Sequence, residues 1–293
     1  MKTSRAGVPS GPGGVSPLGQ KPLGMIAGNG RFPVLALEAA RKAGLEVVAI
    51  GIKEEASKEI EPLAARCHWI SLGALSKLID ICHREGITQV MMCGQVKHAK
   101  IFSSIVPDLK LVKLLASIDT KDTEGLIGAV VKVLADEGIA LADSTLLLKN
   151  LLAPQGVLTR RKPSNEEQRD LAYGRRIAAA LSAHDIGQSV VIADRACVAV
   201  EAMEGTDAVL RRAASLVEGK PLRLVKGSRR RRHMLFDVPV VGPQTIAVMR
   251  ETGATALAID AGRTLLLDRD ELFAQANTAD IAINAIAPDT RLD

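Results

Sequence analysis

The sequence predicts two α/β domains in one chain, the first built on a parallel sheet and the second on a mixed one. Three observations carry this. The chain has 293 residues, about twice the size at which single domains are commonest. Apolar residues make up 47% but aromatics only 2%, so Leu, Val, Ile and Ala must fill the cores. Short strand-like runs alternate with helical periodicities, and that alternation implies a parallel sheet covered on both faces.

Residues 1–22 hold five Gly, four Pro and three Ser, too little apolar area to offset chain entropy, and are expected to form a disordered extension. The first domain is read as 23–158. Residues 23–27 form a buried strand, and 34–43 a helix with Pro33 at its first position and Gly44 closing it. Strands follow at 46–52, 68–71 and 88–93, with a helix at 75–84 ended by Gly86. Helical stretches are expected at 109–117, 122–137 and 144–152. A polar, Pro- and Gly-punctuated break over 154–163 leads to the second domain, 159–288. There, 166–183 reads as a long helix, and 189–193 with 196–201 as a hairpin around Asp194 and Arg195. Val209, Leu210, Ala213, Leu216 and Val217 share one face of a helix capped by Thr206. Strands at 222–226, 255–259 and 264–267 and helices at 243–251 and 269–275 complete the reading. No internal repeat at solenoid periods is present.

Composition excludes several classes of function. The scarcity of aromatics argues against a protein that stacks nucleic-acid bases. No apolar run approaches the roughly 18 residues that span a bilayer. Cys67, Cys82, Cys93 and Cys197 form no CxxC pair, which favours a reduced, cytoplasmic setting. The start of the chain lacks the charged and apolar regions of a secretory signal. The formal charge of +5 divides unevenly. Residues 1–22 carry +3 and 219–236 carry +7, leaving −5 for the rest, an acidic body with one basic stretch.

The candidate chemistry lies at loop positions. Gly28, Asn29 and Gly30 sit between the first strand and first helix, where glycines let a ligand approach the backbone and helix-start N–H groups favour an anion. The other reading is a tight turn without a ligand, because neither the third dinucleotide glycine nor a Gly-Lys-Ser/Thr triplet is present. Gly94, Gln95 and Val96, followed by Lys97, come after the fourth strand and so share that sheet edge. Thr206 and Asp207 open a helix: as cap and first-turn acid, or as groups facing a phosphate or metal. Asp237 lies between apolar residues just before Pro239, Gly242 and Pro243, as a capping carboxylate or as a metal-holding or basic one. Mg²⁺ needs only one or two carboxylates where a substrate supplies phosphate oxygens. The basic run from Lys220 to His233 lacks aromatic interleaving, so it suits a diphosphate or anionic headgroups, or a solvated loop, better than nucleic acid. The five histidines show no zinc spacing, and no Gly-x-Ser-x-Gly elbow occurs, so protease, zinc-hydrolase and lipase readings have no support. Read alone, the residues describe a two-domain α/β protein that binds a phosphorylated ligand.

Taken in order, the motifs resemble a family. They are residues 23–33 (LGMIAGNGRFP), 93–96 (CGQV), 185–188 (DIGQ), 199–207 (AVEAMEGTD) with Leu210-Arg211-Arg212, 236–245 (FDVPVVGPQT) and 261–263 (AGR). The family is the UDP-2,3-diacylglucosamine pyrophosphatases of lipid A biosynthesis, the magnesium-dependent two-domain type rather than the calcineurin-like one. The resemblance runs from about Leu23 to Ile286. It implies a Rossmann-like first domain and a catalytic second one. It also implies hydrolysis of the substrate diphosphate to 2,3-diacylglucosamine 1-phosphate and UMP, by water attack on the α-phosphorus with Mg²⁺. Asp237 matches the family's essential aspartate, on Mg²⁺ or on the attacking water. Gly28, Asn29, Gly30, Gly94, Gln95 and Val96 would line the substrate from the first domain, with Thr206, Asp207 and Lys226 from the second. A homodimer, peripheral on the inner membrane and binding no nucleic acid, is implied too. The chain departs from the family ahead of Asp237. A Gln-Asp pair is replaced by Arg232-His233 and an Arg by Leu235, which leaves a binding protein without turnover as the alternative.

Overall fold

The structure, a computed structural model, describes residues 21–96, 107–116, 123–184, 186–228, 235 and 237–288. All but the last two residues of the expected extension lie outside these, as do Lys97 and Arg229 to Arg232.

The first half is a five-stranded parallel sheet in the order β3-β2-β1-β4-β5. Its strands are β1 (Leu23–Ala27), β2 (Val47–Ile52), β3 (Arg66–Ile70), β4 (Gln89–Cys93) and β5 (Ala140–Leu141). Helices α1 (Phe32–Lys42), α2 (Leu75–Arg84), α3 (Leu109–Ala116) and α4 (Thr123–Asp136) connect them. Alternate residues of β1 serve opposite faces. Met25 and Ala27 pack with Leu37 of α1, and Ile26 packs with Leu78 of α2. Burial on both sides explains why these strands read as continuous apolar runs. Pro33 is the second residue of α1, not the first, because Phe32 already has helical geometry.

The second half is a six-stranded mixed sheet in the order β6-β13-β11-β9-β7-β8. Its parallel centre is β9 (Leu222–Lys226), β11 (Ala254–Asp260) and β13 (Ala282–Ile286). The hairpin of β7 (Ser189–Ala193) and β8 (Ala196–Val200) adds antiparallel to β9. Its turn residues, Asp194 and Arg195, have φ of 50° and 61°, the left-handed pair that a two-residue hairpin requires. Helix α5 (Asn165–Ala183) covers one face, with Leu171 and Ala178 on Val190, Ile192 and Val225. Helices α6 (Thr206–Leu216), α7 (Pro243–Glu251) and α8 (Arg269–Thr278) cover the other.

Several expectations are corrected. Residues 144–152 form turns and one 3₁₀ turn at Lys149–Leu151, not a helix. Asp143 Oδ1 takes both the amide and the hydroxyl of Thr145, starting a turn instead. The leucines that mimic helical periodicity pack Leu147, Leu148, Leu151 and Leu152 onto the first core. Strand β6 (Gly156–Val157) lies before residue 158, yet it pairs with β13 in the second sheet. Strand β13 itself went unread, since its small Ala282 and Ala285 give no strand-like signal.

A third, two-stranded sheet joins the halves. Strands β10 (Val240–Val241) and β12 (Leu265–Leu266) pair in parallel. Val241 and Leu266 enter the second core, while Val238, Val240, Leu265 and Leu267 pack on the first, beside Phe32 and Val34 of α1. The strap that carries Asp237 is thereby tied to both domains.

Candidate functional site

The reversal of chain order between β1 and β4 marks the edge where ligands of open α/β sheets collect. Both predicted glycine loops leave that edge, and they pair with each other. The Gly28 amide donates to Cys93 O (2.8 Å), Asn29 N to Gln95 O (2.7 Å) and Gln95 N to Asn29 O (3.1 Å). A Cβ on Gly28 would stand 2.7 Å from Gln95 O, and one on Gly94 would stand 2.6 Å from Asn29 O. Gly94 also has φ of +90°, so both glycines are required by the contact between the loops. Gly30 differs, since at φ +95° its missing side chain would meet nothing within 4 Å. Asn29 is held by its amide on Glu55 Oε2 (3.1 Å), and Val96 packs half-buried on the α2 face. Cys93, beneath the loops, is fully buried, and burial pushes its thiol up, which removes it as a nucleophile.

The second group is built by strand register. Ser189 opens β7 opposite Lys226 at the end of β9, and the Glu201 amide extends the ladder from β8 onto Ser189 O (2.8 Å). Alternation then puts Glu201, Ser189 and Lys226 side by side on the α6 face. Thr206 sits over this row. Its Oγ1 receives Lys226 Nζ at 3.0 Å, lies 3.0 Å from Ser189 Oγ, and donates to Glu201 Oε1 at 3.4 Å. Thr206 is therefore not the cap of α6. Gly205, at φ 85°, holds that position, and Thr206 is the first helical residue with its hydroxyl turned inward. Asp207 follows in the first turn, half-buried, where the helix dipole favours a carboxylate.

Asp237 joins this row through Gln188. The Gln188 side-chain amide lies 2.7 Å from both Asp237 oxygens, and the Gln188 carbonyl accepts from Gly227 N (2.9 Å), the residue after Lys226. Two residues before Asp237, Leu235 O accepts from Ser144 Oγ of the first half (2.6 Å). Across the same junction Arg31, which caps α1, pairs with Asp268 (3.3 Å). Behind Lys226 a cleft of about 360 Å³ opens on the α5 face. There Asp260 takes Ser228 N (2.6 Å), Ser228 Oγ (2.7 Å) and Arg175 (3.3 Å), fixing the chain as it leaves β9.

Of the predicted residues, Thr206, Lys226 and Asp237 are thus brought into one bonded set, and Gly28, Asn29, Gly94 and Gln95 into another. The strap and the Arg31–Asp268 pair link the two. Gln188, Ser189 and Glu201 complete the set of Thr206, Lys226 and Asp237, and the sequence reading gives none of them a role. Their one local signal is a polar residue at the end of an otherwise apolar strand. A carboxylate oriented by an amide, tied through the Gln188 backbone to the strand that ends in a half-buried ammonium, is suited to a phosphate ester or anhydride. Among the described residues no three His, Cys, Asp or Glu side chains cluster as a metal cage. An amide-oriented carboxylate is instead the lean kind of donor that Mg²⁺ accepts alongside substrate phosphates.

Comparison with known proteins agrees in both halves. The LpxI N-terminal domain family matches residues 22–151 and the LpxI C-terminal domain family matches 154–284. The UDP-2,3-diacylglucosamine pyrophosphatase LpxI of Caulobacter vibrioides is 28% identical over 279 residues, 92% of this chain and 99% of that protein. Among solved structures, pyruvate carboxylase from Rhizobium etli aligns over 68% of this chain and 15% of its own at a TM-score of 0.28 and 16% identity. N5-carboxyaminoimidazole ribonucleotide synthetase from Thermotoga maritima aligns over 64% of this chain and 42% of its own, at a TM-score of 0.26 and 13% identity. Likeness that weak says nothing of this chain's chemistry. The two domain matches, end to end over the two sheets, make this chain a member of the LpxI family.

Proposed function

We propose that this chain is a hydrolase of the UDP-2,3-diacylglucosamine diphosphate in lipid A biosynthesis, giving 2,3-diacylglucosamine 1-phosphate and UMP. The observation that carries the reading is the Asp237 carboxylate, held on both oxygens by Gln188, whose backbone carbonyl bonds the residue after Lys226, in a chain matched by both LpxI domain families. Asp237 would hold Mg²⁺, and Gln188 would keep that carboxylate facing the substrate. Mg²⁺, when bound, neutralises charge on the diphosphate and on the oxygens that develop it. Lys226 binds the diphosphate, and Thr206 and Asp207 shape the second-domain wall. Gly28, Asn29, Gly30, Gly94, Gln95 and Val96 line the first-domain side. Water attacks the α-phosphorus, the bond from that phosphorus to the bridging oxygen breaks, and that oxygen leaves with 2,3-diacylglucosamine 1-phosphate as UMP forms. No helix among the described residues is long and apolar enough to cross a membrane. A cytoplasmic homodimer resting on the inner-membrane surface is the arrangement we propose, since the substrate is a lipid.

A second reading, binding without turnover, is favoured by one observation: the polar residues expected ahead of Asp237 are replaced by Arg232-His233 and Leu235. One assay separates the two. UMP release from UDP-2,3-diacylglucosamine is measured with Mg²⁺ and with EDTA, beside Asp237→Ala. Metal-dependent release that the variant loses supports hydrolysis. Tight binding of the substrate without release supports the second reading, and full turnover by the variant removes Asp237 from the chemistry.

A further inference from the structure

We infer that Glu201 is a positioning residue for Lys226, acting through the hydroxyl of Thr206. This rests on the reading that Lys226 binds the substrate diphosphate. The case starts from hydrogen counting. An ammonium donates only, a carboxylate accepts only, and a threonine hydroxyl owns one hydrogen. Lys226 Nζ lies 3.0 Å from Thr206 Oγ1, so that oxygen must accept. Its single hydrogen then points to an acceptor, and Glu201 Oε1 at 3.4 Å is the acceptor that carries charge. Glu201 thus sets the direction of the Thr206 hydroxyl, and the hydroxyl's lone pairs set where the ammonium rests.

A second, independent observation is the other oxygen. Glu201 Oε2 is shut off from solvent and takes no hydrogen bond among the described residues. A buried carboxylate oxygen left in that state is costly unless a cation compensates it. The compensating cation is Lys226, one hydroxyl away on the same strand row. Ser189, fully buried between the two, completes the row without adding charge. Glu201 is therefore the fixed counter-charge that keeps Lys226 oriented. Of the three hydrogens on the ammonium, one is engaged by Thr206 among the described residues, and the others are available to phosphate oxygens.

The test is a double-variant cycle on UDP affinity, read by calorimetry on the full chain. Glu201→Ala should weaken UDP about tenfold, the size expected for one hydrogen bond to a charged group. Thr206→Val should do the same. In a Lys226→Met background, Glu201→Ala should change affinity less than about twofold, since coupled residues are not additive. A merely structural Glu201 would weaken UDP equally in both backgrounds, which overturns the inference. Glu201→Gln keeps an acceptor without the charge, so it should recover part of the loss, and it replaces Glu201→Ala should that variant not fold. A readout independent of function is the rate of Lys226 acetylation by acetic anhydride, referenced to exposed Lys58 and read by mass spectrometry. It should rise about threefold in Glu201→Ala, as the ammonium loses its counter-charge. A wild-type chain that neither binds UDP nor releases UMP ends the hydrolase reading. The acetylation rate then decides the positioning role alone, and an unchanged rate overturns it.

Discussion

Gln188 contributes at two points from one residue. Its side-chain amide holds Asp237, and its backbone carbonyl holds Gly227 beside Lys226. Substitution removes only the first, so Gln188→Leu should leave the fold intact. A carboxylate that has lost its orienting partner is still present but mis-aimed, and loss of such a partner lowers metal-site activity by about 10–100-fold. We expect kcat for UMP release to fall within that range while the melting temperature holds; an unchanged kcat would show that Asp237 orients itself. Little of this was legible in the sequence. Asp237 stood out as a single carboxylate between apolar residues, Lys226 only within a basic run and through the resemblance, and Thr206 as a helix-start residue. What turns Thr206 inward is the cross-strand register of Glu201, Ser189 and Lys226, which no local pattern encodes. Gly28 and Gly94 were legible as loop glycines, but not that each is required by the backbone of the opposite loop.

At the scale of elements, α5 begins where one carboxylate ties together three segments. Ser164 and Glu167 form a capping box, and Glu167 also takes Arg161 Nη1 (2.7 Å) and Thr255 Oγ1 (2.6 Å). Arg161 in turn donates to Thr255 O (2.6 Å) and Asp280 O (2.8 Å). The chain entering the second half is thus fastened to α5 and to the starts of β11 and β13. Burial alone would raise the Glu167 carboxyl, but the Arg161, Thr255 and Ser164 donors outweigh it and bring it down to about 2. A folded-state value depressed in this way stabilises the protein above the ordinary carboxylate range and is lost as pH falls toward 2. Glu167→Gln should be less stable than wild type by about 3 kcal/mol near neutral pH, because Arg161 loses its partner. In urea titrations at a series of pH values, that gap should shrink from about pH 5 downward. A gap constant with pH would mean that packing, not charge, accounts for it. The box itself was missed, although Ser164 followed three residues on by Glu167 is its sequence signature. The neighbouring Pro163 and the basic run before it made the whole stretch read as a linker.

The whole molecule turns on the small sheet of β10 and β12, which the sequence reading saw only in part. Leu265 lies about 90% of the way along the chain, yet it is fully buried in the core of the first half with Phe32, Leu37 and Met91. Its neighbour Leu266 points the other way, into the core of the second half. One two-residue strand therefore couples two hydrophobic cores, and the strap bearing Asp237 runs alongside it through Val238 and Val240. Two domains joined by so buried a contact should unfold together. The chain offers a direct probe, since its single tryptophan, Trp69, lies on β3 of the first half, whereas far-UV ellipticity reports both halves. In wild type the two signals should give one coincident transition in urea, the mark of two-state behaviour. Leu265→Ala empties a site that cannot easily collapse and should remove about 3 kcal/mol. Although the change is made in the second half of the sequence, Trp69 fluorescence and ellipticity should shift to lower urea together, keeping one midpoint. Two separated midpoints, with Trp69 moving and part of the ellipticity staying at the wild-type value, would show that the halves fold independently. The strap would then hold Asp237 over a junction free to open, and substrate would have to close it.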